Sequence, residues 1–542
     1  MLTKKLTLLL TCLLAFHTST STPAHAQDSL LLRDYQTVRQ QDAWLTSPNA
    51  AALTRFTAPN IAEAELSMTK GDGGLVDYYQ SDNTLQASAS VESFFRLSPR
   101  TVVFGAISYD NHTGHNMTGS VFIDPTRNPF DIVEDSLANP GRKHRDTYHL
   151  TGGVGIDVWQ GYALGLSLDY TAANYAKYKD LRHKNKLMDM TLCVGAYAPV
   201  LPWLSAGTSY QYHRSTESVS FGTYGKSEKV YKSLIDYGAF MGLVEQFGND
   251  GYTDKSHEMP LFEDSHGGSF QLELCPTGQW SVYGSFAFSR GDGYYGRKSP
   301  YTITYTEHRR HTYSDQLTIT YHPLSRTSRH RLNFAYQNEK LANHAETYRE
   351  LTNETSATYY EYYDPVETAD KQWDDVTLDY TAQLGINSEL PTWELQAVWH
   401  WADRKQAAYL FPYYRHQQLT VNDITLQATR NLIGRQGVWS FSLEAGFQKG
   451  NGQPYEDHTF TTPSAVQEPP ATMEAFLYRE YQYLTAAQYH LGGNVKYAFL
   501  FPGTRLKTHA RIALNYRRAN EVSDYSTGRQ HTLATLAIGC TF

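Results

Sequence analysis

Stretches in which apolar and polar side chains alternate recur along the whole chain. The clearest cover residues 84–97, 147–159, 162–170, 392–401 and 505–517. In the first of them Leu85, Val91 and Phe95 fall on one face, whereas Gln86 and Arg96 fall on the other. Successive side chains of a β-strand point to opposite faces, so this period of two predicts strands with one apolar and one polar side. The pattern therefore predicts an all-β fold.

Short and long connections between these stretches alternate. Short turns occur at 97–101, 159–162, 200–204, 275–279, 322–330, 387–392, 433–437 and 501–504. The longest polar connections between them lie near 112–145, 215–265, 341–373 and 450–478. A membrane barrel has short periplasmic turns and long outer loops, whereas a soluble β-sandwich has no reason to keep that order. The order favours a transmembrane antiparallel up-and-down β-barrel.

The alternation of short turns and long loops also predicts the number of strands. It predicts about 18 strands between Ile61 and Phe542, and because some segments alternate weakly, 14 and 16 remain alternatives. An even number returns both ends of the barrel, residues 61–542, to the periplasmic side. The apolar faces are expected to contact lipid and the polar faces to line a lumen.

The first residues have the features of a secretory signal peptide. Two lysines precede an apolar run at 6–16, and a cleavage site of the A-x-A type ends at Ala26. The run is shorter than the roughly 20 residues that a membrane-spanning helix needs. We expect residues 1–26 to be removed, which leaves an N-terminal segment at 27–60, periplasmic or in the lumen, before the barrel.

Composition agrees with a barrel. The mean hydropathy is −0.51, and no apolar run long enough for a membrane-spanning helix follows the signal peptide. The chain contains 41 tyrosines, a residue that gathers at membrane–water interfaces. A net charge of −8 gives no indication of a nucleic-acid partner. One of the four cysteines lies in the signal peptide, and the others are too scattered for a disulfide framework.

The last strand runs to the final residue of the chain. Leu536, Ile538 and Phe542 lie on its apolar face. A strand edge left open in lipid would leave backbone groups unpaired at several kcal/mol each, so the last strand must pair with the first. The alternation that ends on Phe542 resembles the C-terminal signal of bacterial outer-membrane proteins. That resemblance implies that the barrel-assembly machinery recognises these three residues.

The N-terminal segment contains the sequence SPNAAAL at 47–53. It resembles the Asn-Pro-Ala-Ala-Leu element of the long-chain fatty-acid transporter family, although Pro48 and Asn49 stand in the opposite order here. In that family the segment folds into the lumen as a hatch, so the resemblance implies that Pro48, Asn49 and Leu53 belong to a plug. The whole chain also resembles uncharacterised outer-membrane barrels of Bacteroidota, for which the family supplies no function.

Sequence motifs of catalysis and cofactor binding are absent. The chain contains no G-x-S-x-G elbow, no H-E-x-x-H pair and no phosphate-binding glycine loop. Histidine pairs such as His112 with His115 would need further ligands from elsewhere to hold a metal ion. We therefore expect a protein that is not an enzyme and has no cofactor or metal site.

One predicted strand carries a basic polar face. Its members are Arg505, Lys507, His509, Arg511 and Arg517, with His490 and Lys496 on the preceding strand. Rows of charge in a pore select solutes by sign, so these residues are candidates for anion selectivity in the lumen. The alternative is that carboxylates on nearby walls neutralise them. The candidate carboxylates are Glu444, Glu394 and Asp379.

Together these features predict a protein of the outer membrane of a Gram-negative bacterium that acts as a pore or channel for small solutes. The first alternative is a fatty-acid-transporter-like barrel for apolar compounds. The second is a surface-binding or adhesion protein anchored by its barrel. The expected partners are the lipid bilayer, lipopolysaccharide, the barrel-assembly machinery and a small solute whose identity the sequence does not give.

Overall fold

The computed structural model describes residues 31–134, 139–224, 230–247, 259–387, 390–522 and 524–542. The predicted signal peptide at 1–26 and the first four residues of the predicted N-terminal segment lie outside these ranges. Eighteen strands form one closed antiparallel barrel, as predicted. They are β1 (Ile61–Asp72), β2 (Asn83–Ser98), β3 (Thr101–Met117), β5 (Gly141–Trp159), β6 (Tyr162–Lys177), β7 (Arg182–Leu201), β8 (Leu204–Gly222), β11 (Met259–Thr277), β12 (Trp280–Ser299), β13 (Thr302–Tyr321), β14 (Ser328–Ala345), β17 (Val366–Asn387), β18 (Leu390–Leu410), β19 (Tyr413–Ile433), β20 (Gly437–Gly452), β23 (Gln488–Leu500), β24 (Lys507–Ala519) and β25 (Gln530–Thr541).

Smaller elements lie before the barrel and in its long connections. The additional strands are β4 (Asp131–Glu134), β9 (Tyr231–Gly238), β10 (Met241–Phe247), β15 (Tyr348–Thr352), β16 (Thr358–Tyr362), β21 (Glu456–Thr459) and β22 (Ala471–Thr472). The helices are α1 (Tyr35–Gln40) and α2 (Glu474–Thr485), and the 3₁₀ turns are η1 (Ala43–Thr46) and η2 (Ala50–Arg55). None of the helices in the described ranges has the length and apolar character needed to cross a membrane.

The barrel closes where the first strand meets the last. Strand β1 pairs with β25 over its whole length, and Ala62 exchanges two backbone hydrogen bonds of 2.8 and 2.9 Å with Phe542. The chain end is therefore the last rung of the seam, which explains why an apolar strand runs to the final residue. Leu536, Ile538 and Phe542 are 47%, 44% and 54% exposed, which puts them on the outer surface. Their recognition by assembly machinery stays a prediction.

The outward and inward faces follow the predicted alternation. On β2, Leu85, Val91 and Phe95 are 41–47% exposed on the outside, whereas Phe94 between them is buried in the lumen. Large apolar side chains remain exposed in the same way around the whole barrel. An outward apolar band over strands that alternate with an inward polar face is the pattern of a membrane-spanning barrel.

The barrel strands run further than the sequence predicted. Strand β3 continues to Met117 and β5 begins at Gly141, both inside the connection predicted at 112–145. Similarly, β11 begins at Met259 inside the connection predicted at 215–265. Polar sequence forms strand there because the neighbouring strand supplies the hydrogen-bonding partners of its backbone. Both ends of the barrel chain lie at the end that carries the short turns, which we name the short-turn end.

Candidate functional site: a lumen with a plug and a cap

The N-terminal segment, described from residue 31 to residue 60, lies inside the barrel at the short-turn end. It has no strand of its own and forms α1, η1 and η2. Tyr35, Trp44 and Phe56 are each at most 1% exposed. Their rings pack on rings of the wall, including Phe94 and Tyr283. The segment has the position predicted for a plug, and its effect on solute passage stays a prediction.

Three glycines form a flat floor under η2. Gly155, Gly165 and Gly195 stand opposite one another on β5, β6 and β7. A methyl group at Gly165 would lie 2.0 Å from the backbone nitrogen of Ala51, and one at Gly195 would lie 2.0 Å from Oδ1 of Asn49. These positions hold glycine because the N-terminal segment approaches the wall too closely for a side chain.

Asn49 joins the N-terminal segment to the wall. It is 1% exposed, and its Oδ1 accepts the N–H of Ala51, which caps η2. Its side-chain nitrogen donates to the carbonyl of Ala196 at 2.9 Å and to Oε1 of Gln271 at 3.1 Å. A buried amide must find such partners, so its position fixes the segment on two wall strands.

The other two predicted plug residues also contact the wall. The carbonyl of Pro48 accepts a hydrogen bond from the Ser167 hydroxyl at 3.4 Å. Leu53 is 6% exposed and lies over Gly153, a position where an added methyl group would be 3.2 Å from it. The short motif therefore docks over its whole length on β5 to β7.

Glu273 on β11 binds the N-terminal segment through buried polar contacts. The indole nitrogen of Trp44 donates to Oε2 of Glu273 at 2.9 Å, and Nη2 of Arg55 lies 2.9 Å from the same oxygen. Arg55 also pairs with Asp42 at 2.7 Å and donates to the Tyr197 hydroxyl at 2.9 Å. Charge-assisted hydrogen bonds are stronger than neutral ones, so specific contacts add to the apolar packing of the segment.

Two of the predicted selectivity residues lie against the N-terminal segment. The amine of Lys507 is buried and donates to the carbonyl of Arg33 at 2.6 Å. Burial alone would raise the pKa of Asp34, but the charges of Lys507 and Lys496, together with hydrogen bonds from Thr37, outweigh it and lower that pKa below its usual value. Both lysines therefore stabilise the carboxylate that caps α1, close to the start of the described segment.

His509 and Arg511 share one carboxylate. Nε2 of His509 lies 3.2 Å from Oε2 of Glu65, and Nη2 of Arg511 lies 2.5 Å from Oε1. Glu65 is on β1, so both contacts pass over β25, where a methyl group at Gly539 would lie 2.5 Å from the His509 ring. The carboxylate that contacts His509 and Arg511 belongs to β1, because closure of the barrel places β1 beside β25. The sequence had suggested Glu444, Glu394 and Asp379 instead.

Arg505 does not lie on the lumen face. Strand β24 begins at Lys507, and Arg505 is exposed in the turn before it. That turn is closed by a hydrogen bond of 2.8 Å from the N–H of Phe501 to the carbonyl of Leu506. The alternation of inward and outward side chains therefore does not extend back from β24 to Arg505. This corrects the prediction that Arg505 faces the lumen.

Three long connections fold back into the opposite end of the barrel and form what we name the cap. The cap consists of β4, β9, β10 and β22, which make a four-stranded sheet, together with α2. Phe130, Ile132 and Ile235 of these connections join a buried apolar cluster with Tyr295 and Ala408 of the wall. Burial of apolar side chains explains why these largely polar connections fold inward.

Buried ion pairs attach the cap to the wall. Glu134 at the end of β4 contacts the amines of Lys143 and Lys177, whose side chains are fully buried on β5 and β6. Glu480 on α2 accepts two hydrogen bonds of 2.8 Å from the guanidinium of Arg404 on β18. Removing one member of a buried pair leaves an uncompensated charge, so these pairs oppose displacement of the cap.

The described residues of the lumen enclose at least two cavities. The larger, which we name the main chamber, has a volume of about 1080 Å³, and the smaller, the side chamber, has about 470 Å³. The main chamber is lined mostly by β18 to β20 and β23 to β25, with Tyr483 of the cap. Its charged and titratable lining includes His400, Asp423, Glu444, His490, Arg517 and His531.

The side chamber contains two ion pairs between residues of its own lining. Asp189 lies 3.0 Å from the His213 ring, and Arg310 lies 2.9 Å from Glu263. Within the described ranges, no three His, Cys, Asp or Glu side chains are arranged to hold a metal ion. The three cysteines of the described chain are unpaired, as the sequence predicted.

Sequence reasoning missed the glycine floor and the role of Glu65. The floor has a local signal, since Gly155, Gly165 and Gly195 each fall at an inward position of an alternating strand. The three glycines can be recognised as one surface only when the register of β5, β6 and β7 is known. Glu65 had no local signal, because its partners lie at the other end of the chain.

Solved structures with related shapes are outer-membrane proteins of low similarity. The alcaligin outer-membrane receptor FauA from Bordetella pertussis has a TM-score of 0.40 at 8% identity, over 90% of this chain and 77% of that one. The outer-membrane transporter YddB from Escherichia coli has a TM-score of 0.39 at 7% identity, over 90% and 81%. The monoaromatic hydrocarbon channel CymD has a TM-score of 0.30 at 10% identity, over 92% of both chains. Likeness at this level carries no argument about function.

Sequence comparison gives a clearer result for the family. A search of curated protein sequences finds no match to this chain. The sequence model of a family of unknown function, DUF6850, matches residues 50–542, which is the η2 turn and the whole barrel. This chain is therefore a member of the family of unknown function DUF6850.

Proposed function

We propose that this protein is an outer-membrane channel for small polar solutes, which pass through the main chamber and are controlled by the N-terminal segment and the cap. The observation that carries the proposal is the main chamber itself, a cavity of about 1080 Å³ with charged walls inside a barrel. A barrel that served only as an anchor has no need of such a cavity. The surface-binding alternative is therefore less well supported.

The lining of the main chamber favours polar over apolar cargo. Sites for small apolar ligands are lined mainly by hydrophobic and aromatic side chains. Apolar side chains such as Leu491 and Leu533 also line this cavity, but Asp423, Glu444 and Arg517 face it as well. An apolar solute would remove these groups from water without offering hydrogen bonds, which is unfavourable. The docked SPNAAAL motif is therefore better explained as part of a plug than as evidence for fatty-acid transport.

The remaining expectations about location and selectivity are part of this proposal. The outward apolar band supports a bilayer and lipopolysaccharide as surroundings, and the terminal strand supports insertion by the barrel-assembly machinery. His509 and Arg511 are compensated by Glu65, which leaves them little net charge for selecting anions. We assign Lys507 and Lys496 instead to holding the N-terminal segment in place.

Conductance of the mature protein in planar bilayers tests the channel. The intact protein should show small or rare openings, and a variant lacking residues 31–58 should show large and stable ones. Heat-modifiable migration on a denaturing gel would verify that the shortened protein still forms a barrel. A folded variant that conducts no better than the lipid alone would overturn the proposal.

A further inference from the structure

Three charged side chains of the main chamber have no partner of opposite charge in the described ranges: Arg145 on β5, and Glu444 and Arg517, which lie near each other on one wall. Elsewhere in the lumen such partners are common, as in the pairs of Arg310 with Glu263 and Arg404 with Glu480. Glu444, by contrast, makes no ion pair or hydrogen bond with any residue in the described ranges. A carboxylate that faces a lumen cavity without a counter-charge is available to a ligand.

Arg517 is the corresponding unpaired cation. Its only contact with a hydrogen-bonding group of the described chain is a long one of 3.5 Å from Nη1 to the Tyr483 hydroxyl. On either side of it in the sheet lie His490 on β23 and His531 on β25. Nδ1 of His490 and Nε2 of His531 are buried nitrogens with no hydrogen-bonding partner. Both rings lean away from Arg517, however: His490 contacts the Thr425 hydroxyl at 2.9 Å on β19, and His531 reaches towards Gly71 on β1. The guanidinium of Arg517 itself is therefore the group that is open to a carboxylate.

The strand register sets the distance between the two charges. Glu444 stands opposite Gly492, which in turn stands opposite Asn515, two residues before Arg517. A methyl group at Gly492 would lie 3.5 Å from Oε1 of Glu444, so the carboxylate leans over that glycine towards β24. Adjacent strands lie about 4.8 Å apart and a strand rises about 3.4 Å per residue, so the Cα atoms of Glu444 and Arg517, two strands and two residues apart, are separated by roughly 12 Å. The two side chains therefore form no ion pair with each other, and one small solute can lie between them and reach both.

We infer that the main chamber binds zwitterionic solutes, namely free amino acids or short peptides, with the carboxylate on Arg517 and the ammonium group on Glu444. This inference rests on the proposed channel function and names its substrate class. A dianion would be repelled by Glu444 and a dication by Arg517, so the pair of opposite charges selects against both. A neutral solute would leave both charges uncompensated.

Four five-carbon compounds that differ only in their end groups test the inference. They are δ-aminovalerate, glutarate, cadaverine and pentanediol, and their binding to the mature protein in detergent is measured by titration calorimetry. We expect δ-aminovalerate to bind about tenfold or more tightly than each of the others, since each charge-assisted hydrogen bond gained is worth a factor of this order. Equal affinity for all four compounds would overturn the inference.

Two conservative variants separate the roles of the charges. Glu444→Gln should weaken binding of δ-aminovalerate about tenfold and strengthen binding of glutarate, whereas Arg517→Gln should weaken binding of both. Arg518→Gln is the matched control, because Arg518 is the next residue on the same strand and is exposed. Unchanged δ-aminovalerate affinity in folded Glu444→Gln and Arg517→Gln proteins would refute the site.

Transport measurements keep this inference distinct from the channel proposal. If pentanediol enters liposomes that contain the protein, but δ-aminovalerate is not preferred in binding, the channel stands and the zwitterion site fails. If δ-aminovalerate binds as expected but nothing enters the liposomes, even without residues 31–58, the site stands and the channel proposal fails.

Discussion

A single methyl group on the floor beneath η2 should release the N-terminal segment. In Gly165→Ala the new carbon would lie 2.0 Å from the nitrogen of Ala51 and 2.3 Å from the carbonyl carbon of Ala50. Both are backbone atoms, which cannot rotate away. Ordinary contact begins at 3.4 Å, so the segment must move by 3.4 − 2.0 = 1.4 Å. A shift of that size breaks the Asn49 hydrogen bonds to Ala196 and Gln271, now 2.9 and 3.1 Å long.

The free-energy cost of keeping the N-terminal segment docked in Gly165→Ala can be estimated from these contacts. Overpacking a well-packed site costs about 1–3 kcal/mol. Each lost hydrogen bond costs about 0.5–1.5 kcal/mol. With partial relaxation of the wall, docking should weaken by about 2–4 kcal/mol, which changes the ratio of docked to undocked segment by roughly 30-fold to 1,000-fold.

Limited digestion by trypsin measures this ratio in the folded protein. Arg39 and Arg55 are cleavage sites in the N-terminal segment, and cleavage follows the undocked population when docking is fast. The control is Gly152→Ala, since an added carbon there meets nothing within 4 Å. We expect Gly165→Ala to be cut at least roughly 30-fold faster than the control while its barrel stays heat-modifiable. Equal cleavage rates would refute the close approach on which the estimate depends.

Three further predictions concern the seam and the cap. Gly539→Ala places a carbon 2.6 Å from the carbonyl of Ala64 and should lower the free energy of unfolding by about 1–3 kcal/mol in urea, whereas Gly493→Ala, with nothing within 4 Å, should not. Deletion of Phe542 removes two backbone hydrogen bonds of the seam and should reduce the folded fraction at the cell surface, and normal levels would contradict this. Burial raises the pKa of Asp131 in the cap from 3.8 to about 6, so its contribution to cap stability is complete below about pH 4 and is lost as the pH rises through 6. Protection factors of the amides in β4 and β9, which are corrected for base-catalysed intrinsic exchange, should therefore be higher at pH 5 than at pH 8, and Asp131→Asn should reduce that difference.

The sequence by itself determined the faces and direction of the strands and predicted that their number is even and near 18. A side-chain period of two is local, so it can be read without knowing any neighbour. Leu85 and Phe95 could be placed outward from this rule alone, and the even strand count followed from the order of turns and loops. The sequence also predicted that the strand ending at Phe542 pairs with the first strand, because a barrel in lipid cannot leave a strand edge unpaired.

The tertiary structure alone decided which side chains meet across the lumen. His509 and Glu65 are 444 positions apart, and only closure of the barrel and the small residue Gly539 between them make the contact. The inward fold of the long connections is likewise decided by the wall against which they pack. The unpaired charges of Glu444 and Arg517 follow from register, which depends on all eighteen strands together, and for this reason alternation within one strand could not predict them.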